Sequence, residues 1–539
     1  MEFQLPLDRY NILVEFAVKH MDFQNAELES VLDLFGIKLS SPDCQILTLP
    51  TSTERARPFL VLSFPHNLKG KRFRLQDGKC DDQSQDQDQI PFSNIISRCI
   101  LVRSVIELWG VGKTLSDCVA CSKKWNESSI GKEIFEKNSG IDKSWKITIH
   151  TLGTKYTRLE QDNMRLRFRF FDFKGQVKME DPTNEFIMIR EAEIDVLGNV
   201  VHPQQDCNKK IIQENVARPP IGVYFGRILG QGRLVKGRGA MEQYSLKRRA
   251  YLGPTSMDAE LSFIMTNFGQ VEKGKCVIDP FVGTGSILLS CAIRGAYCSG
   301  TDIDIRVLRG RSEHENIRSN FLQFGLPRPE LVRSDNAIYH RHYQRSEVPL
   351  YDAIVTDPPY GIRAGARKTG SKLETPKPVV EELRHNHIAQ TKPYSVADVM
   401  ADLLDMAART LVMGGRLVYV IPSFSINFSI EDDLPQHTCL ELIHCCYQSF
   451  TSELGRRIVT MKKVGDYEET HQEEYLSAVW KNGAESAEKC ANIRDKLLEA
   501  AKKKPGYQQK AAIRKEKRRK SREAKKLSKR KFATLDQKG

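Results

Sequence analysis

Hydrophobic and polar positions follow two different rhythms along the 539 residues, and the change between them falls near residue 215. Before it, both kinds of period mix. Apolar residues recur at helical spacing within residues 25–35 (Leu28, Val31, Leu32, Leu34, Phe35), which predicts a helix with one buried face. Strand-like runs follow at residues 45–49 and 59–64, with a further element at 104–109. Strict alternation in Trp-Lys-Ile-Thr-Ile-His at 145–150 predicts another strand. Arg165, Arg167 and Arg169 alternate with Leu166, Phe168 and Phe170; this reads as an amphipathic strand with a basic face or as the end of a helix. Residues 81–89, Asp-Asp-Gln-Ser-Gln-Asp-Gln-Asp-Gln, hold nothing to bury and are expected to form a polar, disordered insertion. No internal repeat is visible.

From about residue 215, strand-like and helix-like stretches alternate, the pattern of a parallel sheet covered by helices. Apolar strands are expected at 275–278, 297–301, 331–333, 353–356 and 416–421, with a helix at 284–293 behind the first. A second helix at 396–411 carries Val399, Met400, Leu403, Met406 and Leu411 on one face, and Gly414–Gly415 is expected to end it. Final strands are expected at 440–445 and 456–461, so that the domain ends near Lys463. The fold class is therefore α/β. A doubly wound, Rossmann-like domain (215–465) follows an α+β region (1–200) and precedes a basic, helical or disordered tail (480–539).

Charge changes the picture only at the carboxyl end. The net charge is +14, but residues from Lys502 onward carry 17 Lys and Arg against 3 acids, which leaves 65 basic and 65 acidic residues in the rest. Nucleic-acid binding by the folded part must therefore come from local patches. The tail reads as a solvated arm, as an auxiliary nucleic-acid arm, or as a nuclear import signal. The 13 cysteines are scattered. Cys118 and Cys121 make a single C-x-x-C with no second pair or histidines at metal spacing, so no metal site is expected, and the vicinal Cys445 and Cys446 read as structural too. With no apolar run of the ~18 residues a membrane span needs and no secretory leader pattern, the expectation is a cytoplasmic protein without membrane contact, also nuclear if the tail directs import.

Three motifs stand in the order that a nucleotide-like cofactor requires. Asp279-Pro280-Phe281-Val282-Gly283-Thr284-Gly285 lies between a strand and a helix, where glycines let a ligand approach the backbone and the helix start offers free N–H groups. A lone G-x-G is weak by itself. Asp302 ends the next strand, 23 residues after Asp279, and a carboxylate there can accept from both ribose hydroxyls; helix capping suits Asp304 better. Asp335 ends a third strand, where it can meet an adenine amine. Most specific is Asp357-Pro358-Pro359-Tyr360 after the strand at 353–356. Two prolines fix a rigid turn outside the sheet's carboxyl end, where ligands bind in such folds. The turn presents a carboxylate, a carbonyl and an aromatic face, which suit a planar base with an exocyclic amine. Asp357 and the Pro358 carbonyl would accept its two N–H bonds while Tyr360 stacks on the ring.

These motifs resemble class I amino-methyltransferases acting on nucleobases. The longer runs Tyr224-Phe225-Gly226-Arg227, Gly-Pro-Thr-Ser-Met-Asp-Ala-Glu-Leu-Ser-Phe at 253–263 and Thr-Asp-Pro-Pro-Tyr-Gly-Ile-Arg at 356–363 are similar to the catalytic subunit family of eukaryotic tRNA guanine-10 N2-methyltransferases. The likeness runs from the amino-terminal region, including Glu107-Leu108-Trp109-Gly110, to about Lys463. It implies S-adenosylmethionine as cofactor, tRNA as substrate, a THUMP RNA-binding module within the first 200 residues, and a small zinc-binding activator protein as partner. It also implies that Thr255 and Ser256 reach the cofactor's methionyl end; from the residues alone, Pro254-Thr255-Ser256 simply starts a helix, with Thr255 and Asp258 as a capping box. The insertion at 81–89 and the long tail depart from the family pattern. Between Arg227 and Arg249, seven basic residues stand against one acid, Glu242, with Tyr224, Phe225, Tyr244 and Tyr251 interleaved. Arg227, Arg233, Arg238, Lys247, Arg248 and Arg249 are thus candidates for tRNA backbone contact. Methylation of another RNA position, ribosomal RNA, DNA adenine or a protein glutamine stands as the enzymatic rival, and a silent RNA-binding scaffold as the rival of another class.

Overall fold

In the computed structural model the chain is described over residues 4–51, 57–66, 73–74, 90–152, 156–192, 220–232, 241–253, 256–343, 348–359, 366–370, 381, 390–424, 428–450 and 454–481, with isolated tail positions 502, 506, 507, 509, 516 and 519. Residues 81–89, most of the basic tail, and the candidates Arg233, Arg238, Thr255 and Tyr360 lie outside the described residues.

The amino-terminal strands are β1 (Arg9–Phe16), β2 (Gln45–Leu47), β3 (Phe59–Pro65), β4 (Phe73–Arg74), β5 (Ile90–Pro91), β6 (Val102–Gly112), β7 (Trp145–Thr151), β8 (Asn184–Glu191) and β9 (Gly222–Gln231). Seven of them form one sheet in the order β2-β3-β1-β6-β9-β8-β7, and β4 and β5 make a short ladder of their own. Aromatic rings fill its core: Trp109 stacks on Trp125 at 4.5 Å, and Phe168 lies on Phe225 at 3.9 Å. Such rings bury much apolar area each and dominate the cohesion of this half.

One expectation is corrected here and one open alternative is decided. The run Tyr224–Arg227 belongs to this sheet, not to the domain expected from residue 215: β9 pairs antiparallel with β6 and β8. Gly226 permits it, because a Cβ there would lie 2.0 Å from the Glu107 carbonyl oxygen. The arginine series at 165–169 is the end of a helix, Arg158–Leu166, whose start is a Thr157–Glu160 capping box. Short-range alternation leaves both readings open at this point, and the helix end prevails as Phe168 and Phe171 turn into the aromatic core just past it.

The second sheet uses β10 (Cys276–Asp279), β11 (Tyr297–Asp302), β12 (Glu330–Arg333), β13 (Tyr351–Thr356), β16 (Leu411–Phe424), β17 (Leu440–Ser449) and β18 (Leu454–Lys463); β14 (Arg367–Thr369) and β15 (Thr391–Pro393) form a separate hairpin. The order is β12-β11-β10-β13-β16-β18-β17. The first five strands are parallel, and β18 runs antiparallel to β16 and β17. Helices Ala259–Phe268, Ser286–Ile293, Ile317–Gln323 and Val396–Thr410 accompany it, as expected of a doubly wound α/β domain. Three details differ from expectation. Helix Ala259–Phe268 starts at the Asp258 cap rather than at Pro254. The glycine pair does not end the helix, which stops at Thr410; Gly414 (φ 79°) sits in a bulge of β16, between the pairs Tyr351–Leu411 and Ala353–Arg416. The domain also continues past Lys463, because Tyr467, Tyr475, Val479 and Trp480 pack into its core.

The halves meet along helix Met21–Leu34. Its Glu27 is fully buried and accepts from the Ile100 and Leu101 amides at 2.8 and 2.7 Å and from Asn267 Nδ2 at 2.7 Å. Six residues on along the same helix, Asp33 takes Arg416 Nη2 at 2.9 Å and Gln270 Nε2 at 2.8 Å. Burial raises the Glu27 carboxyl above its ordinary range, and the two amides and Asn267 offset part of that cost.

Candidate active site

Parallel strands put their carboxyl ends on one edge, and four acids follow those ends in turn: Asp335 after β12, Asp302 on β11, Asp279 on β10 and Asp357 after β13. Since β10 pairs directly with β13 (Val277 with Ala353, Ile278 with Ile354), the glycine loop and the Asp-Pro-Pro turn leave neighbouring strands at the same end. The two motifs therefore stand side by side at one edge of the sheet.

Asp279 is buried, at 1% exposure. Its Oδ1 accepts from the Phe281 amide at 3.0 Å and from the Thr356 hydroxyl at 2.6 Å. Burial pushes its carboxyl up to about 7; the Thr356 and Phe281 bonds oppose the rise, and the charges of Asp357 and Asp302 add to it. The loop beyond turns on Gly283 (φ 50°) and Gly285 (φ 76°), both in the left-handed region that glycine adopts without strain. Gly285 then caps helix Ser286–Ile293, whose first N–H groups face outward from the helix start.

Asp302 is held rather than capping: its Oδ2 accepts from Gly283 N at 3.1 Å and its Oδ1 from Asp304 N at 2.8 Å. Asp304 is the residue that caps helix Ile305–Arg309. Burial raises the Asp302 carboxyl. Asp335 is buried and accepts from Ala337 N at 3.0 Å and, across to the hairpin, from Thr369 N at 2.5 Å. That second bond ties the segment following the Asp-Pro-Pro turn to the far end of the acid row. Phe281 is half-buried and, like Ala337, packs on Ala366, Tyr394 and Val399. Ser256 accepts from Gly253 N at 3.0 Å and shares a 2.7 Å hydroxyl contact with Thr284. Asp357 is half-buried and Pro358 buried at the mouth of this arrangement.

The basic candidates divide. Lys247 and Arg248 are exposed on a short 3-10 turn, as a backbone contact requires. Arg227 is not: it is 7% exposed and its Nε bonds Glu107 Oε2 at 3.0 Å, so it serves the amino-terminal core. Arg249 is equally buried and donates to Ser286 Oγ at 2.8 Å. Tyr224 and Phe225 also lie in the core rather than beside exposed cations. Sequence reasoning missed Thr356 and Thr284; their places directly before Asp357 and between the two loop glycines were the available signal. Cys118 and Cys121 share helix Leu115–Glu127, and burial raises both thiols. Among the described residues no cluster of three metal-ligating side chains occurs, and no helix is long and apolar enough to cross a membrane.

Comparison with known proteins agrees with this layout. The family model described as Tmrp11 THUMP N-terminal domain matches residues 84–233, and the RMKL-like methyltransferase domain matches residues 247–379. The junction falls between β9 and the second sheet, where the strand order also divides the chain. The chain is similar to proteins named tRNA (guanine(10)-N(2))-methyltransferase TRMT11. The Homo sapiens protein is 34% identical over 489 residues, 88% of this chain and 92% of that one. The Pongo abelii protein matches to the same extent. The Dictyostelium discoideum protein is 35% identical over 468 residues, 85% of this chain and 83% of that one. With a THUMP module joined to a Rossmann-like sheet, and with likeness running through both, the chain belongs to the tRNA (guanine(10)-N(2))-methyltransferase family.

Proposed function

We propose that this chain is the catalytic subunit of an enzyme that forms N2-methylguanosine at position 10 of tRNA with S-adenosylmethionine as donor. One observation carries the reading. Adjacent parallel strands deliver Asp357-Pro358 and the Gly283–Gly285 loop to the same edge, and Thr356 bonds Asp279 between them. The residues present fit the cofactor. Asp302 and Asp335 offer acceptors for ribose and adenine, the two glycines admit close approach, and Ser256 and Asp279 lie toward the methionyl end; Phe281 flanks the adenine side through its packing. Thr255 keeps the role implied by the family likeness.

An exocyclic guanine amine is a poor nucleophile because its lone pair is delocalised into the ring. Asp357 and the Pro358 carbonyl accept its two N–H bonds, which favours a pyramidal nitrogen and frees the lone pair. The bound cofactor supplies an electrophilic methyl on a sulfonium. As the nitrogen takes the methyl, the methyl's bond to sulfur would break and leave a neutral thioether, and the proton shed by the cationic amine would pass to the Asp357 carboxylate or to water. Holding the two reactants in line contributes more than a strong base would. Tyr360 is assigned the stacking face for the guanine, which must leave its helix to enter. The test is Asp357→Ala: methyl transfer to tRNA is abolished, while tRNA affinity stays within about threefold because backbone contacts dominate it. A fully active variant refutes the role. Mapping the methylated nucleotide in total RNA separates guanine 10 from other positions.

The small zinc-binding activator belongs to the same proposal, and so does a cytoplasmic location. Both rest on the resemblance and the composition. Purifying the chain with and without that activator, then assaying methyl transfer, tests the partnership directly.

A further inference from the structure

We propose that Arg249 anchors the carboxylate of the cofactor's methionyl end. The inference rests on the reading that S-adenosylmethionine occupies the glycine-loop site, and it names the residue that recognises the amino-acid half of that ligand.

Arg249 is held in place from both sides. Helix Ile317–Gln323 grips its backbone neighbours: Ala250 N donates to Gln323 Oε1 at 3.2 Å, Tyr251 N to Asn320 Oδ1 at 2.9 Å, and Gln323 Nε2 to the Arg248 carbonyl at 2.6 Å. The same helix closes on the loop, since a Cβ on Gly285 would lie 2.8 Å from Ile317 Cγ2. The side chain is thereby turned inward, away from exposed Lys247 and Arg248, and its Nη1 donates to Ser286 Oγ, the first residue of the helix behind the glycines. Ser286 Oγ stands 3.5 Å from Thr284 Oγ1, which in turn contacts Ser256 Oγ at 2.7 Å. A guanidinium, a helix start and a row of hydroxyls therefore converge on one side of the loop.

This guanidinium is 7% exposed, its Nε has no hydrogen-bond partner, and among the described residues no carboxylate lies within ion-pair distance of it. Asp258, the acid whose charge reaches it, is committed to the Glu260 amide as a helix cap. Burial lowers the Arg249 pKa to about 10, the mark of a cation that lacks a close counter-ion. Buried cations are costly without an anion, and a guanidinium matches a carboxylate in shape and charge. The row of acids already places the rest of the ligand. Adenine and ribose lie toward Asp335 and Asp302, and the transferable methyl faces Asp357, which leaves the amino-acid end for the side of the loop where Arg249 sits.

The test is calorimetry on the full chain with S-adenosylhomocysteine and with 5′-methylthioadenosine, which lacks the amino-acid end. Arg249→Met is expected to weaken S-adenosylhomocysteine binding about tenfold to a hundredfold, as loss of a charge-assisted contact does, and to leave methylthioadenosine unchanged. Arg249→Lys keeps the charge without the fork and is expected to fall between. Unchanged S-adenosylhomocysteine affinity in Arg249→Met overturns the proposal. So does an equal loss of both ligands in both variants, because Arg249 then serves only the fold. Failure of the unmutated chain to bind either ligand refutes the cofactor reading itself.

Discussion

In the amino-terminal sheet, carboxylates buried on strands meet cations. Glu107 on β6 takes Arg227, Glu191 on β8 takes Arg57, and Glu15 on β1 lies 3.6 Å from Arg103 and 3.1 Å from His150. Burial alone would raise Glu15, yet the His150 bond and the neighbouring positive charges hold it below its usual range. At the carboxyl ends of β10 and β11 the arrangement is reversed. Asp279 and Asp302 are answered by a hydroxyl and by backbone amides, with no cation in reach among the described residues, and both are raised. A paired carboxylate locks strands together, whereas a row of carboxylates without cations spends stability to keep acceptors available for a ligand.

The largest effect expected from breaking this contrast is on the paired side. Arg227→Met leaves Glu107 buried without its cation and should lower unfolding free energy by about 3–5 kcal/mol, read from the denaturant midpoint. Adding Glu107→Gln should restore a good part of it; a loss under about 1 kcal/mol would remove the distinction drawn here. Next comes Asp279. Its folded carboxyl titrates near 7 and its unfolded one near the ordinary aspartate value, so the folded chain holds a proton that the unfolded chain releases between them. Stability from this group is therefore highest in acid, falls as pH rises through that window and levels above about 7. Asp279→Asn should abolish that slope, gaining up to ~4 kcal/mol on the unmutated chain between pH 4 and 8 without cofactor; parallel curves for the two proteins would show that Asp279 is not raised. The smallest effect concerns RNA. Replacing both Lys247 and Arg248 by Ala should weaken tRNA binding about threefold to tenfold and reduce the salt slope by about two, while Arg249→Met leaves that slope alone.

The parallel sheet was legible because its central strands carry apolar runs, such as Ala353–Val355 and Leu417–Ile421, and its motifs stand at strand ends, where chain order and space coincide. Asp279, Gly283, Gly285, Asp302, Asp335 and Asp357 all reach one edge for that reason. What failed were judgements about which way a charged side chain points. Arg248 and Arg249 are adjacent in sequence, yet one is exposed and the other buried, and only the grip of helix Ile317–Gln323 decides which. Arg227 looked like part of a basic run, but its partner Glu107 lies 120 residues away, and no local pattern reports that. Gly414–Gly415 read as a helix stop because a bulge and a cap place the same demand on backbone torsion.

The knot at Glu27 has a further consequence. One carboxylate from the first helix is shared by the segment leading into β6 and by Asn267 of the methyltransferase half, so separating the modules would remove one of its three bonds. The two halves are therefore tied to each other by a buried, charge-bearing hydrogen bond.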